Sequence, residues 1–90
     1  MKECFLCGRN GNCDPLERHH IFEGPLRNSS EKYGLVVDLC GDRCHRNGSN
    51  SAHRNKETAD YLHRYGQKKF MEENNATAEE FRKIFRKNYL

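Results

Sequence analysis

A small α+β fold is predicted for this chain: two short strands and a helical turn, followed by two longer helices. Three observations predict it. Two stretches of strand character, residues 16–22 (LERHHIF) and 35–40 (LVVDLC), precede any long helical pattern. Residues 55–73 and 77–87 then carry apolar side chains at three- and four-residue spacing. Finally, all five Cys fall in the first 44 residues of a 90-residue chain that is only 34% hydrophobic and has no Trp.

Taken in order, residues 4–13 (CFLCGRNGNC) place Gly and Asn between Cys residues, the chemistry of a tight knuckle. The first strand follows, ending in Ile21 and Phe22. Gly24 and Pro25 break it. Residues 26–34 are polar and read as a loop with a helical turn near Glu31 to Tyr33. The β-branched run at 35–40 is the best strand in the sequence. Residues 41–47 (GDRCHRN) read as one or two helical turns, with Asp42 near the start and Gly48 near the end. Residues 49–54 are a polar loop. Ala59, Leu62, Gly66 and Phe70 then mark one face of a long helix, in which Gly66 costs roughly 1 kcal/mol relative to Ala. Asn74-Asn75 ends that helix. Thr77 and Glu80 form a capping-box signature for a last helix. It buries Phe81, Ile84 and Phe85 and turns Arg82, Lys83, Arg86 and Lys87 to solvent. No repeat or low-complexity tract interrupts this order. The expectation is one domain over residues 1–90, with the knuckle and strand unit at about 4–54 and the helices at about 55–90.

A domain of this size buries only ~60% of its unfolded surface, so a thin core needs a staple. Disulfides are one candidate and a metal the other. The opening MKECFLCGRN is polar and no secretory leader is read from it, so a cytoplasmic location is expected, where structural disulfides are rare. The odd Cys count also argues against a complete disulfide framework. No stretch approaches the roughly 20 apolar residues of a membrane span. Metal is the better staple. Cys4 and Cys7 form a CxxC pair, and Cys40 and Cys44 form a second pair. Two chelating turns supply the four tetrahedral ligands of a structural Zn²⁺, clipping together both ends of the segment between them. Redox-active or inert buried thiols are the competing reading. Cys13 is the surplus and could replace one of the four.

The histidines form a second group. His19 and His20 are neighbours on the first strand, so their side chains leave opposite faces. They can do two jobs around one site more easily than they can bind one ion. His45 follows Cys44, and a zinc clip would draw its helical turn back toward His19.

In CFLC at 4–7, HHI at 19–21 and LCGDRCH at 39–45, the chain resembles the HNH family of nucleases, also called His-Me finger or ββα-metal nucleases. The resemblance covers roughly residues 4–53, and in size the chain is similar to small members encoded by phages and prophages. It implies a zinc-stapled ββα-metal finger followed by two C-terminal helices. It also implies a DNA endonuclease or nickase that hydrolyses phosphodiester bonds. His20, directly before Ile21, matches the general base that activates water. His19 and His45 match ligands of a catalytic divalent cation, Mg²⁺ or Mn²⁺, with Ni²⁺ and Zn²⁺ as alternatives. His53, in SAHRN, lies where many members carry a further Lys or His. It could be a third ligand, a phosphate contact or a loop residue. The pattern's central Asn has no counterpart in YGLVV at 33–37, so the group that fixes the tautomer of His20 stays open. A backbone carbonyl could do it.

Charge is divided unevenly. Residues 1–45 carry 6 basic and 7 acidic side chains, residues 46–90 carry 10 and 6, and the whole chain is +3. A basic second half fits a polyanion, although a solvated helix surface would have the same composition. Arg18, Arg43, Arg46 and Arg54 flank the motif and could grip phosphates. DNA is the expected partner, with no membrane, and a homodimer or a larger phage assembly is compatible. Two other readings share these residues. One is a catalytically silent zinc knuckle that only binds nucleic acid, and the other is a nuclease directed at RNA.

Overall fold

The computed structural model describes residues 3–12 and 14–90, so Cys13 lies outside the described residues. It is a small α+β structure with a two-stranded antiparallel sheet. Strand β1 is Leu16–His20 and strand β2 is Val36–Cys40. Helices α1 (Arg27–Lys32), α2 (Lys56–Asn74) and α3 (Ala78–Phe85) complete it, with a π-helical turn at Gly41–Arg46. Among the described residues, no helix is long and apolar enough to cross a membrane. The chain divides into two compact units, Met1–His19 with Val37–Ala59, and His20–Val36 with Asp60–Leu90.

The first unit has few aliphatic side chains to bury. Apart from Cys4, Cys40 and Cys44, its buried apolar residues among those described are Val37, Leu39 and Ala52. The knuckle is a tight turn closed by Gly8 N–H donating to Cys4 O at 2.9 Å and Cys4 N–H donating to Arg9 O at 2.7 Å. Gly8 adopts φ +77°, where a side chain would be strained. Phe5 N–H donates to Asp38 O at 2.8 Å and ties the knuckle to β2. The helical turn is anchored from a distance. The two carboxylate oxygens of Asp14 accept the N–H groups of Asp42 and Arg43, each at 2.9 Å, capping donors that a helix start leaves open. Asn55 begins α2 by accepting Thr58 N–H at 3.0 Å.

The second unit holds an aromatic core. Phe22, Phe70, Phe81 and Phe85 are all buried, with ring centroids 4.6 Å apart for Phe22–Phe85 and 4.7 Å for Phe81–Phe85. Residues 26–34, expected to be a loop with a helical turn near Glu31 to Tyr33, are more helical than that: a 3₁₀ turn at Gly24–Leu26 runs into α1. Pro25 presets φ at the start of that turn. Ser30 then anchors the segment, its hydroxyl accepting Phe22 N–H at 3.2 Å and donating to Leu35 O at 2.6 Å. On α2 the buried residues are Leu62, Gly66, Gln67 and Phe70, while Ala59 is half-buried. Gln67 is a polar member that periodicity did not single out. Its side chain takes both ends of a backbone-like pairing with the C-terminal segment, donating to Asn88 Oδ1 (2.8 Å) and accepting from Tyr89 N–H (2.7 Å). Helix α3 starts with the expected capping box, Thr77 with Glu80, and buries Phe81 and Phe85 with Ile84 half-buried. Arg82, Lys83, Arg86 and Lys87 are exposed.

Candidate metal centres

Cys4, Cys7, Cys40 and Cys44 bring their four sulfurs within 4.8 Å of one another. All four are free thiols. Cys7 Sγ and Cys40 Sγ are 3.5 Å apart, close to the ~3.8 Å edge of a tetrahedron with Zn–S bonds of ~2.3 Å. Cys4 Sγ accepts the backbone N–H groups of Cys7 and Cys40, each at 3.5 Å. Burial raises the Cys4 thiol pKa, but N–H donors from Cys40, Cys7 and Leu6 outweigh it and lower the value to about 7. Cys40 moves the other way, raised to about 12 by burial and by its bonds to the Cys7 and Cys4 sulfurs. Burial and the same two neighbours also push Cys44 up. Four thiolates crowded this closely cannot all ionise without a cation between them. The donor set fits Zn²⁺.

The second cluster contains three imidazoles. One ring nitrogen from each of His19, His45 and His53 lies within 4.8 Å of the others. Ring centroids are 5.1 Å apart for His19–His45, 4.8 Å for His45–His53 and 5.8 Å for His19–His53. Each ring reaches the cluster by a different route. His19 is buried on β1. His45 follows Cys44 on the helical turn, so the cysteine cluster fixes its place. His53 comes from the next loop, which backbone bonds hold against that turn: Ala52 N–H to Cys44 O at 2.8 Å and His53 N–H to His45 O at 3.2 Å. Neutral nitrogen donors without a carboxylate among them suit Ni²⁺, Zn²⁺ or Mn²⁺ better than Mg²⁺, which prefers oxygen. His53, whose role the sequence left open, is therefore a member of the cluster.

Two carboxylates that sequence reasoning missed hold the histidines. Glu17 Oε1 accepts from His45 Nδ1 at 2.9 Å and from Arg46 Nε at 3.0 Å, while Glu17 Oε2 meets Arg46 Nη2. A carboxylate only accepts, so His45 carries its proton on Nδ1 and keeps Nε2 for another partner. The signal was present: Glu17 and His19 are two residues apart and share one face of β1. In the second unit, Glu31 Oε2 accepts from His20 Nε2 at 2.8 Å. In the neutral ring, the same logic places the proton on Nε2 and makes Nδ1 the acceptor nitrogen. No pattern linked these two, because Glu31 lies 11 residues away on α1.

Among the arginines expected to meet phosphate, Arg46 is paired with Glu17, and Arg54 donates to Asn47 O at 3.0 Å. Arg18 and Arg43 are exposed.

Comparison with protein-family models, with curated proteins and with solved structures finds no significant match to this chain.

Proposed function

We propose that the chain is a metal-dependent nuclease of the HNH, or ββα-metal, type that hydrolyses phosphodiester bonds in DNA. The observation that carries this reading is the convergence of His19, His45 and His53 beside a separate four-thiol cluster, with His20 as the next residue on the same strand. A phosphodiester is an anionic, unreactive electrophile, and its hydrolysis needs a deprotonated water and neutralised charge. His19, His45 and His53 would hold a divalent cation, which would supply the positive charge that the reacting phosphodiester needs. His20 supplies the base. Its Nδ1 takes a proton from water as the water oxygen attacks phosphorus, and the P–O3′ bond breaks with its electron pair on the 3′ oxygen. Glu31 holds His20 in the tautomer this requires, the task left open by the missing Asn. It also stabilises the imidazolium that forms, since the carboxylate sits against the protonated Nε2.

Supercoiled plasmid incubated with Mn²⁺, Mg²⁺ or EDTA tests the reading. Wild type nicks or linearises DNA with metal and not with EDTA. His20→Ala lowers the rate by roughly 10²–10⁴-fold with zinc content unchanged, and excess Mn²⁺ does not restore it. His19→Ala and His45→Ala lose activity that excess Mn²⁺ partly restores. DNA bound without cleavage in any metal would point to a silent binding module. Cleavage of RNA alone would move the substrate class. If His20→Ala cleaves at the wild-type rate, the base is another group.

A further inference from the structure

We propose that Glu17 is the positioning residue of the three-histidine site, orienting His45 for metal through its Nδ1–H. The inference rests on the reading that His19, His45 and His53 hold an ion. An imidazole has two nitrogens, and a free ring on an exposed helical turn would sample both tautomers and several rotamers. Glu17 Oε1, 2.9 Å from His45 Nδ1, selects one tautomer and one ring orientation. A carboxylate there also makes Nε2 a better donor, the general property of outer partners of metal-bound histidine.

Two further features keep the carboxylate in place. Arg46 grips both of its oxygens, one helical residue beyond His45. Gly41 makes its seat: a Cβ on Gly41 would come within 2.9 Å of Glu17 Cδ and 3.1 Å of Pro15 O. The strand thus contributes twice from one face, with His19 as ligand and Glu17 as the group that orients the ligand opposite.

The test uses the full chain carrying one Zn²⁺ in its cysteine cluster, titrated with Mn²⁺ and followed by the EPR signal of the free ion. Wild type takes up one Mn²⁺ per chain. Glu17→Ala binds it ~10–100-fold more weakly while retaining its Zn²⁺. Glu17→Gln loses less, since its amide oxygen can still accept from Nδ1–H. Arg46→Ala changes affinity only a few-fold, because the bond to His45 survives. A Glu17→Ala protein with wild-type Mn²⁺ affinity overturns the proposal and leaves the metal-site reading standing. A wild type that takes up no second ion overturns both. ¹⁵N spectra of the wild-type His45 ring before Mn²⁺ addition need no variant. The Nδ1–H tautomer is expected, and a predominant Nε2–H tautomer overturns the assignment whatever the variants do.

Discussion

Gly66 shows how one residue answers to its neighbours and not to its own helix. In the middle of α2 it forgoes roughly 1 kcal/mol of helix propensity relative to Ala. The reason is contact: a Cβ there would lie 2.8 Å from Ile21 Cγ2 and 2.9 Å from Phe22 Cε2. Phe22 is itself wedged among Phe81, Phe85, His63 and Tyr89, so its ring has little room to move. Overpacking of this kind costs ~1–3 kcal/mol, which exceeds the propensity gain. Gly66→Ala is therefore expected to lower the melting temperature by several degrees, measured by thermal unfolding. A raised melting temperature would mean that Ile21 and Phe22 yield at little cost. The same local logic governs Ser30, whose hydroxyl serves two backbone partners at once.

At the scale of elements, the short pieces carry the chemistry and the long ones carry the packing. The turn at Gly41–Arg46 is only six residues, yet it bears Cys44, His45 and Arg46. Its own hydrogen bonds could not hold so short a helix in isolation. Asp14 at its start and the cysteine cluster along its side do that instead. Helix α3 is stabilised differently. Thr77 Oγ1 accepts Glu80 N–H at 3.2 Å, and Glu80 Oε1 accepts Thr77 N–H at 3.2 Å. Thr77→Ala is expected to cost ~1 kcal/mol in chemical denaturation, and Thr77→Ser close to nothing. An Ala variant as stable as wild type would assign the placement of α3 wholly to Phe81 and Phe85.

For the whole molecule, the two units differ in what holds them. The second contains Ile21, Phe22, Leu35, Leu62, Phe70, Phe81 and Phe85. Among its described residues the first has three buried aliphatic side chains outside its cysteines, and each contributes only ~1.5–3 kcal/mol at most. Structural zinc contributes ~10–16 kcal/mol in small domains and would dominate there. Purified protein is expected to hold one tightly bound Zn²⁺ per chain. A strong chelator, or Cys40→Ser, should remove amide exchange protection from residues 4–19 and 37–55 before it affects residues 60–85. Protection lost at the same rate throughout would show that the aromatic core depends equally on the metal. A zinc-free protein with full protection would dismiss the staple.

The sequence by itself determined the donor chemistry and most of the elements, with α1 (Arg27–Lys32) the exception. The 35–40 strand, the long helix and the Thr77 cap are written in local patterns, because β-branching, periodicity and capping act over a few residues. The paired cysteine spacing was also legible, since two short chelating turns need only four sulfurs to be brought together. The tertiary structure alone decided which side chains meet across the chain. His53 joins His19 and His45 only because a loop is tied back onto the helical turn. Glu17 finds His45, and Glu31 finds His20, across gaps of 28 and 11 residues. A carboxylate's partner depends on where the backbone carries it, and that path is set by the packing of distant segments, which no local pattern records.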